Sequence, residues 1–189
     1  MTPPASPDLD GQGIPAVSLC ELDLAEDATA AAVHRIGRRA YAVEAGLIGF
    51  DGIPALRESV AELRGRPLRW LGAMTDGGRI AAFVAWRSLD GGAVIDIDRV
   101  CVDPAWFRRG LASRLIGHLL ADLAPRGDVR VSTGTDNHPA VALYQSLGFS
   151  RIGTGEPVPG LRMAHFALTR DRPRHPDRRA PRPGPPDGQ

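Results

Sequence analysis

The amino-acid sequence predicts an α/β domain with a mixed, mostly antiparallel sheet flanked by helices, and three patterns support this. Three strand-like runs follow one another through two short turns, which is typical of an antiparallel meander. They cover residues 68–74, 80–87 and 93–102, with turns at 76–79 and 89–92. A strand, a helix and another strand then follow between residues 93 and 133, and this order implies a parallel crossover. Further segments carry apolar residues at helical spacing.

The segment before the meander predicts one strand and two helices. Apolar and polar residues alternate over residues 16–22, as in a strand with one buried face. From Asp27 to about Val43 apolar residues recur at helical spacing after an acidic start, which favours a helix. Pro54 opens a second predicted helix, which closes near Gly65.

The segment after the meander alternates helix and strand. An apolar stripe at helical spacing predicts a long helix from Arg108 to about Ala124. Strands are predicted at 129–133 and 161–168, with a helix at 140–147 between them. We expect a single domain over residues 16–169, because 43% hydrophobic content in 189 residues suffices for one core. Residues 1–15 and the Arg/Pro-rich tail 170–189 are expected to be disordered.

The composition narrows the class of protein. All 23 basic residues are arginine and the formal net charge is +1, so the chain as a whole shows no preference for nucleic acid or a membrane. The tail 170–189 carries six Arg against three Asp, so nucleic acid or an acidic partner is an alternative for it, although a solvated appendage is favoured. Without a charged and apolar leader or an apolar run near 18 residues, we expect a soluble cytoplasmic protein.

The metal-ligating and thiol side chains suggest no special site. Cys20 and Cys101 lie in apolar runs and are expected to be buried free thiols. Four histidines have unrelated spacings and contexts, so we expect no metal site. They are His34, His118, His138 and His165.

A strand end, an arginine–glycine loop and a helix start adjoin one another near residue 104. Pro104 ends the strand because it cannot donate to a ladder. Arg108 and Arg109 precede Gly110, which lets the backbone approach a ligand closely. The first turn of a helix has free N–H groups and the positive end of the helix dipole, so this stretch suits a phosphate. Taken alone, it also fits an ordinary helix start that binds water or a cap.

A second stretch, residues 137–149, reads Asn-x-x-Ala-x-x-Leu-Tyr-x-x-x-Gly-Phe. Together with the first stretch it resembles the GNAT N-acetyltransferase superfamily, whose late motif has all of these residues. The phosphate motif of that family reads Gln/Arg-x-x-Gly-x-Gly/Ala. Gly110 and Ala112 match it, whereas Phe107 replaces the polar first residue. The resemblance covers residues 16–168, and the predicted order of elements also fits that fold.

The resemblance implies that the chain binds acetyl-CoA. The end of the strand at 100–102 would pair its backbone with the pantetheine arm, as an added strand does. The N–H groups from Arg108 to Ser113 would hold the pyrophosphate, and Arg108 or Arg109 would pair with it. Asn137 would contact the arm of the cofactor, and the hydroxyl of Tyr144 would stand near the thioester sulfur. The implied contacts are Val100, Cys101, Val102, Arg108, Arg109, Gly110, Leu111, Ala112, Ser113, Asn137 and Tyr144.

The candidate catalytic residues are an acid and a base. Tyr144 is the candidate general acid, and the alternative is a helix tyrosine that only packs against its neighbours. Asp96 and Asp98 are the candidate bases, because carboxylates in a Val/Ile strand are seldom buried without a use. The alternative is that they pair with Arg99 or Arg130 as structural ions. A bulge, frequent on this strand in the family, would change the facing of one relative to the other.

Residues near the end of the first helix bear on the acceptor. Glu44 and Tyr41 could reach the acceptor site, and the loop at 46–54 is its expected wall in this family.

The function predicted from the sequence is acetyl-CoA-dependent transfer of an acetyl group to a primary amine. Direct transfer is expected, because neither cysteine lies at a position that the family uses as a nucleophile. The acceptor is the amine of a small molecule or a peptide, and a homodimer formed through a sheet edge is compatible with the resemblance. The alternative is a non-catalytic module of the same fold that binds acyl-CoA.

Overall fold

Seven strands form one sheet in the order β1-β2-β3-β4-β5-β7-β6, with helices on both faces. The computed structural model describes residues 17–170, so the predicted lead-in and all of the predicted tail except Arg170 lie outside the described residues. The strands are β1 (Val17–Glu21), β2 (Arg69–Thr75), β3 (Ile80–Leu89), β4 (Val94–Val102), β5 (Asp128–Gly134), β6 (Ser150–Gly155) and β7 (Met163–Leu168). The helices are α1 (Asp27–Ile48), α2 (Val60–Arg64), α3 (Leu111–His118) and α4 (His138–Ser146).

The predicted fold class is confirmed by the strand pairing. β2, β3 and β4 form the antiparallel meander, and β4 pairs with β5 in parallel after the crossover through α3. The other described pairs, β1 with β2, β5 with β7 and β6 with β7, are antiparallel. The sequence did not predict β6. Its side chains are mostly exposed and two of its six residues are glycine, so it lacks the alternation that marks a half-buried strand.

Two helix predictions need correction. The first helix does not end near Val43 but continues to Ile48, where Gly49 closes it in the left-handed conformation with φ of 66°. The second predicted helix, from Pro54 to Gly65, is wrong as one element. A single 3-10 turn covers Pro54–Leu56, and α2 starts afresh at Ser59, where Ser59 and Glu62 form a capping box.

The long predicted helix changes geometry before it ends. Its α-helical part, α3, stops at His118, and the segment Leu119–Leu123 continues as one π-helical turn. The guanidinium of Arg170 donates to the carbonyl oxygens of Leu120 and Ala124 at this end. Arg170, which the sequence assigns to the tail, is therefore bonded to the domain.

Two apolar clusters cover the faces of the sheet. The larger joins the sheet to α3 and α4, and includes Trp86, Leu115, Ile116 and Phe166. The smaller joins it to α1, and includes Val33, Ile36 and Phe83. Cys101 is buried in the smaller cluster as expected, but the expectation for Cys20 is wrong: it lies on the edge strand β1 and is exposed.

A bulge and an opening in the sheet position the site. Ala85 pairs with Arg99 and Trp86 with Ile97, so Asp98 has no partner on β3 and forms a β-bulge. Side chains change face across it: Ile97 packs in the larger cluster, whereas Cys101 packs in the smaller one. β4 and β5 pair only over Val94–Ile97 and Asp128–Val131, and beyond these residues the two strands separate. Within residues 17–170, no helix has the length and apolar character to cross a bilayer.

Candidate active site

A cavity of about 550 Å³ lies where β4 and β5 separate, between the end of α1, the start of α3 and α4. All eleven residues that the sequence resemblance assigns to cofactor contact line it. They come from β4, the loop before α3, the first turn of α3, and α4 with its N-cap. The fold therefore brings together two sequence stretches that are separated by about one helix and one strand.

The edge of β4 offers free peptide groups to this cavity. The N–H of Asp103 donates to the carbonyl of Ala81 on β3 at 2.8 Å. Because N–H groups alternate in direction along a strand, those of Val100 and Val102 face the opposite side, where β5 has moved away. An extended ligand can therefore add to this edge in the manner of a strand.

The loop before α3 forms a cradle of N–H groups. Arg108 and Gly110 have φ of 60° and 72°, and this left-handed backbone turns successive amides toward one side. Within residues 17–170, no backbone carbonyl accepts from the N–H groups between Arg108 and Ser113. A Cβ at Gly110 would meet no atom within 4 Å, so the space over the cradle is open. The arrangement suits an anion such as a phosphate.

Aromatic side chains flank the cradle. The guanidinium of Arg109 lies over the ring of Trp106, 4.9 Å from its centroid, which holds one positive charge beside the free N–H groups. Phe107, where the family motif has a polar residue, is 40% exposed and lines the same cavity. Its side chain supplies apolar contact in place of a hydrogen-bond donor.

A second cavity of about 260 Å³ adjoins the first on the α1 side of the sheet. Its wall includes Ile53 and Pro54 from the loop predicted to face the acceptor, and Leu161 and Met163 near β7. Six residues line both cavities: Tyr41, Glu44, Val100, Asn137, Ala140 and Tyr144. A ligand in one cavity can thus meet a ligand in the other at these residues.

Tyr144 lies at this junction and also packs in the core. It is 5% exposed, and its ring centroid lies 5.9 Å from that of Phe149 and 5.7 Å from that of Phe166. Burial, and secondarily the charge of Glu44, raises the pKa of the Tyr144 hydroxyl above its ordinary value. The hydroxyl is therefore protonated at neutral pH and can donate a hydrogen bond. Tyr144 can pack in the core and still serve as the candidate general acid, so the two alternatives for this residue are compatible.

Glu44 is held at the junction by the separated end of β5. Its Oε1 accepts from the hydroxyl of Thr133 at 3.1 Å and from the N–H of Gly134 at 3.3 Å. These bonds join α1 to β5 across the opening in the sheet. They place a carboxylate between the two cavities, where it can attract a cationic amine.

The two candidate bases on β4 have different surroundings. Asp98 lines the second cavity and accepts from Nε of Arg99 at 2.8 Å, the pairing that the structural alternative proposed. Asp96 lines neither cavity. It accepts two hydrogen bonds from Arg87 on β3, at 2.7 and 2.9 Å, so its ion pair is with Arg87 and not with Arg99 or with Arg130, its register partner on β5. The structure thus brings Asp98 to the site and leaves Asp96 outside it.

A buried ionic network supports the wall of the second cavity. Arg99 is 6% exposed and donates to Glu58 at 2.7 Å as well as to Asp98, and Arg66 also donates to Glu58. Burial alone would lower the pKa of Arg99, but the interaction with Tyr41 and the hydrogen bonds to Glu58 and Asp98 outweigh it and raise that pKa. No local pattern in the sequence marks Glu58, which lies 41 residues from Arg99.

Sequence reasoning also missed Ser132 and assigned no role to His165. Ser132 lines the second cavity, and its hydroxyl lies 2.7 Å from Nδ1 of His165. The one signal in the sequence is a polar residue that follows Val131 in a short apolar run. A polar residue at such a position is ordinary for a strand with one solvated face, so it did not mark a site. Among residues 17–170, no group of three or more potential ligands is arranged to hold a metal ion.

The thiol of Cys101 lines the first cavity but is unsuited to nucleophilic attack. Burial raises its pKa to about 12, so it is protonated at neutral pH. The thiolate is the reactive form of cysteine, and the raised pKa keeps its population at this position low.

The sequence is similar to those of several curated proteins over part of their length. It is 32% identical over 129 residues to the UPF0157 protein YqkA of Bacillus subtilis, which covers 68% of this chain and 37% of that protein. It is 38% identical over 84 residues to the [ribosomal protein bS18]-alanine N-acetyltransferase of Escherichia coli, which covers 41% of this chain and 52% of that enzyme. The chain thus spans about half or less of these two relatives.

The fold matches solved structures over most of the chain. One is the structure of yncA, a putative acetyltransferase from Salmonella typhimurium with its cofactor acetyl-CoA. The TM-score is 0.62 at 19% identity, over 86% of this chain and 99% of that one. The model of the acetyltransferase (GNAT) family matches residues 38–149, from α1 through the second motif. This match spans more than half of the sequence and both motif stretches, and the chain therefore belongs to the GNAT acetyltransferase family.

Proposed function

We propose that this protein is an N-acetyltransferase that moves an acetyl group from acetyl-CoA directly to a primary amine. One observation carries the proposal: two cavities, one with an anion cradle and a free strand edge, meet at Glu44 and Tyr144. A thioester donor in the first cavity and an amine in the second would meet at these residues.

The residues of the first cavity fit acetyl-CoA. The free N–H groups from Arg108 to Ser113 and the stacked guanidinium of Arg109 would hold the pyrophosphate. The peptide groups of Val100 and Val102 would pair with the amides of the pantetheine arm, and Asn137 lines the same path. When bound, acetyl-CoA supplies an activated acyl group; the residues below act on the amine and on the leaving sulfur.

The two proton tasks of the reaction fall to different residues. An alkylammonium has a pKa near ~10.4 and must lose a proton before its nitrogen can attack. The carboxylates of Glu44 and Asp98 line the second cavity and would attract and orient the ammonium ion. Tyr144 would donate its proton, or a hydrogen bond, to the departing sulfur. Asp96, paired with Arg87 outside both cavities, would support the strand instead.

Direct transfer is favoured over an acyl-enzyme. The thiol of Cys101 lines the first cavity but is held protonated by burial, with a pKa raised to about 12. An acetylated cysteine would require the thiolate as nucleophile. The amine in the neighbouring cavity therefore attacks the thioester itself.

The acceptor that fits best is the α-amino group of a polypeptide. Pro54 and Arg66, which line the second cavity, also line a surface groove of about 520 Å³ that has Arg57 and Glu62 in its wall. A cavity and a groove that share wall residues would suit a chain whose first residue enters the cavity and whose next residues lie outside it. An α-amino group has a pKa near ~7.8, so removing its proton at a given pH costs about 3.5 kcal/mol less than removing one from an alkylammonium. A relative is named as an alanine N-acetyltransferase of a ribosomal protein.

The test has a binding step and a turnover step. Calorimetry should show micromolar binding of acetyl-CoA to the full chain, and Ala112→Glu should abolish it, because the new carboxylate enters the cradle. CoA release is then followed with short peptides that have free or blocked α-amino groups, and with polyamines and aminoglycosides. We expect release only with free α-amino peptides. Binding without release from any amine would refute the enzyme and favour a non-catalytic acyl-CoA-binding module.

A further inference from the structure

We propose that Ser132 and His165 form a proton relay that accepts a proton from the acceptor amine. The inference rests on the proposed function and assigns the second cavity a route by which a proton leaves. The two residues are on adjacent strands, β5 and β7, where they are direct partners in the antiparallel register. The Ser132 hydroxyl oxygen lies 2.7 Å from Nδ1 of His165.

The relay begins inside the acceptor cavity. Ser132 lines that cavity together with Glu44 and Tyr144. Its neighbour Val131 packs in the larger cluster, on the face covered by α3 and α4, so the Ser132 side chain lies on the opposite, α1 side of the sheet. The amine is expected on that side, because the loop wall of the second cavity is there.

The histidine has a place built for it on β7. A Cβ at Gly155 on the neighbouring strand β6 would come within 2.8 Å of Nε2 of His165. Glycine therefore leaves the room that the imidazole occupies, and any larger residue there would press on the ring. His165 is neither fully buried nor fully exposed, so it can pass a proton on to water.

The carboxylates of the cavity already accept hydrogen bonds from the protein. Asp98 already accepts from Arg99, and Glu44 accepts from Thr133 and Gly134. These bonds suit the two carboxylates to hold a cation in place. In contrast, the Ser132 hydroxyl can accept one hydrogen bond from the ammonium while it donates to the imidazole.

The proton steps balance. One N–H proton of the ammonium passes to the Ser132 oxygen while the hydroxyl proton of Ser132 passes to Nδ1 of His165. The products are the neutral amine, an unchanged serine and an imidazolium, which gives its Nε2 proton to water. The amine lone pair is then available for the thioester carbonyl. Ser132 touches the acceptor, and His165 acts through it as a positioning residue.

Other ionisable groups lie on the elements next to the histidine. Arg130 on β5 and Arg151 on β6 belong to the strands that pair with β7, and Glu44 on α1 and Asp98 on β4 line the cavity on which Ser132 opens. The test therefore compares pH profiles between variants that keep all four of these groups.

The variant His165→Asn keeps a hydrogen-bond acceptor for Ser132 but cannot titrate. We expect kcat with a free α-amino peptide to fall about 100-fold at neutral pH. In the pH profile of kcat, we also expect the acid limb of the variant to lie at the pH at which the free amine loses its proton. The KM for acetyl-CoA should stay unchanged. Ser132→Ala should act similarly, and the double variant should be no worse than either single one, because the two residues work as a unit. His118→Gln, on the remote end of α3, is the matched control.

Two negative results have different meanings. If the wild type binds acetyl-CoA but acetylates no amine, the proposed function and the relay both fall. If the wild type is active and His165→Asn keeps its kcat and pH profile, the relay alone is overturned. Additive losses in the double variant, or a change in KM without a change in pH profile, would also overturn it and indicate a structural role.

Discussion

Replacing Glu58 by Gln should strongly destabilise the domain, although Glu58 lines neither of the two cavities at the site. The Glu58 side chain is 6% exposed and accepts hydrogen bonds from Arg99 and Arg66. Its backbone carbonyl lies 2.8 Å from the His34 ring, so the same residue also ties α1 to the segment before α2. Glu58→Gln removes the charge and keeps the shape of the side chain.

The expected loss of stability follows from the burial of Arg99. After the substitution the Arg99 side chain, which is 5% exposed, keeps only the Asp98 carboxylate as a charged partner. Removing one member of a buried ion pair costs about 3–5 kcal/mol, and the remaining amide oxygen places this change near ~3 kcal/mol. A typical domain has only about 5–15 kcal/mol of stability in total. With a urea dependence of about 2 kcal/mol per molar, the unfolding midpoint should fall by about 1.5 M.

The loss should depend on pH in a defined direction. Burial would raise the pKa of Glu58, but the hydrogen bonds from Arg99 and Arg66 outweigh it, and the pKa lies below its ordinary value of 4.5. A lowered folded-state pKa contributes stability that is present above the unfolded value and lost as pH falls through the folded one. Wild type and variant should therefore differ most above about pH 5 and converge in acid.

Urea unfolding at pH 7 and at several acidic pH values measures this difference. Glu62→Gln is the matched control, because it makes the same change four residues away on an exposed side chain of the capping box, where Gln serves as well as Glu. We expect the control to change stability by less than about 0.5 kcal/mol. A loss below about 1 kcal/mol for Glu58→Gln, or one that does not shrink in acid, would refute the network as the main support of this wall.

Three further predictions concern the two cavities. Tyr144→Phe should lower kcat by about 100-fold or more and leave acetyl-CoA affinity nearly unchanged in calorimetry, as expected for a general acid; an unchanged kcat would contradict that role. Gly110→Ala should lower the free energy of unfolding by about 1–2 kcal/mol, because the φ of this residue is 72°. It should also weaken acetyl-CoA binding by about tenfold, because the new methyl group enters the cradle. Gly46→Ala, in α1 with open space around it, is the control and should reduce neither stability nor binding. Cys101→Ala should keep turnover, and between pH 9 and 10 it should lose less stability than the wild type. The wild-type thiol has a raised pKa of about 12, so its contribution is present below the unfolded value of about 9 and lost above it.

The order of the elements could be predicted because it depends on local patterns. Turn residues, periodicity and the proline after β4 act over a few positions, and the meander, the crossover and the cradle follow from them. The left-handed conformation at Gly110 is also local, since glycine adopts it without strain. β6 was not predicted, because an exposed edge strand with two glycines lacks the local alternation of apolar and polar residues that marks a strand.

The tertiary structure alone decided which charged side chains meet. Asp96 and Asp98 look equivalent in a regular strand, but the bulge at Asp98 and the separation of β4 from β5 bring only Asp98 to the cavity. Glu44 reaches Thr133 across 89 residues, and Ser132 reaches His165 across 33. Such contacts depend on the order and register of the strands and on where the pairing of two strands ends. Both are properties of the whole packed sheet. The sequence by itself determined the family and predicted the loop proposed to hold the cofactor and the candidate acid, and the packing of distant strands determined the second cavity.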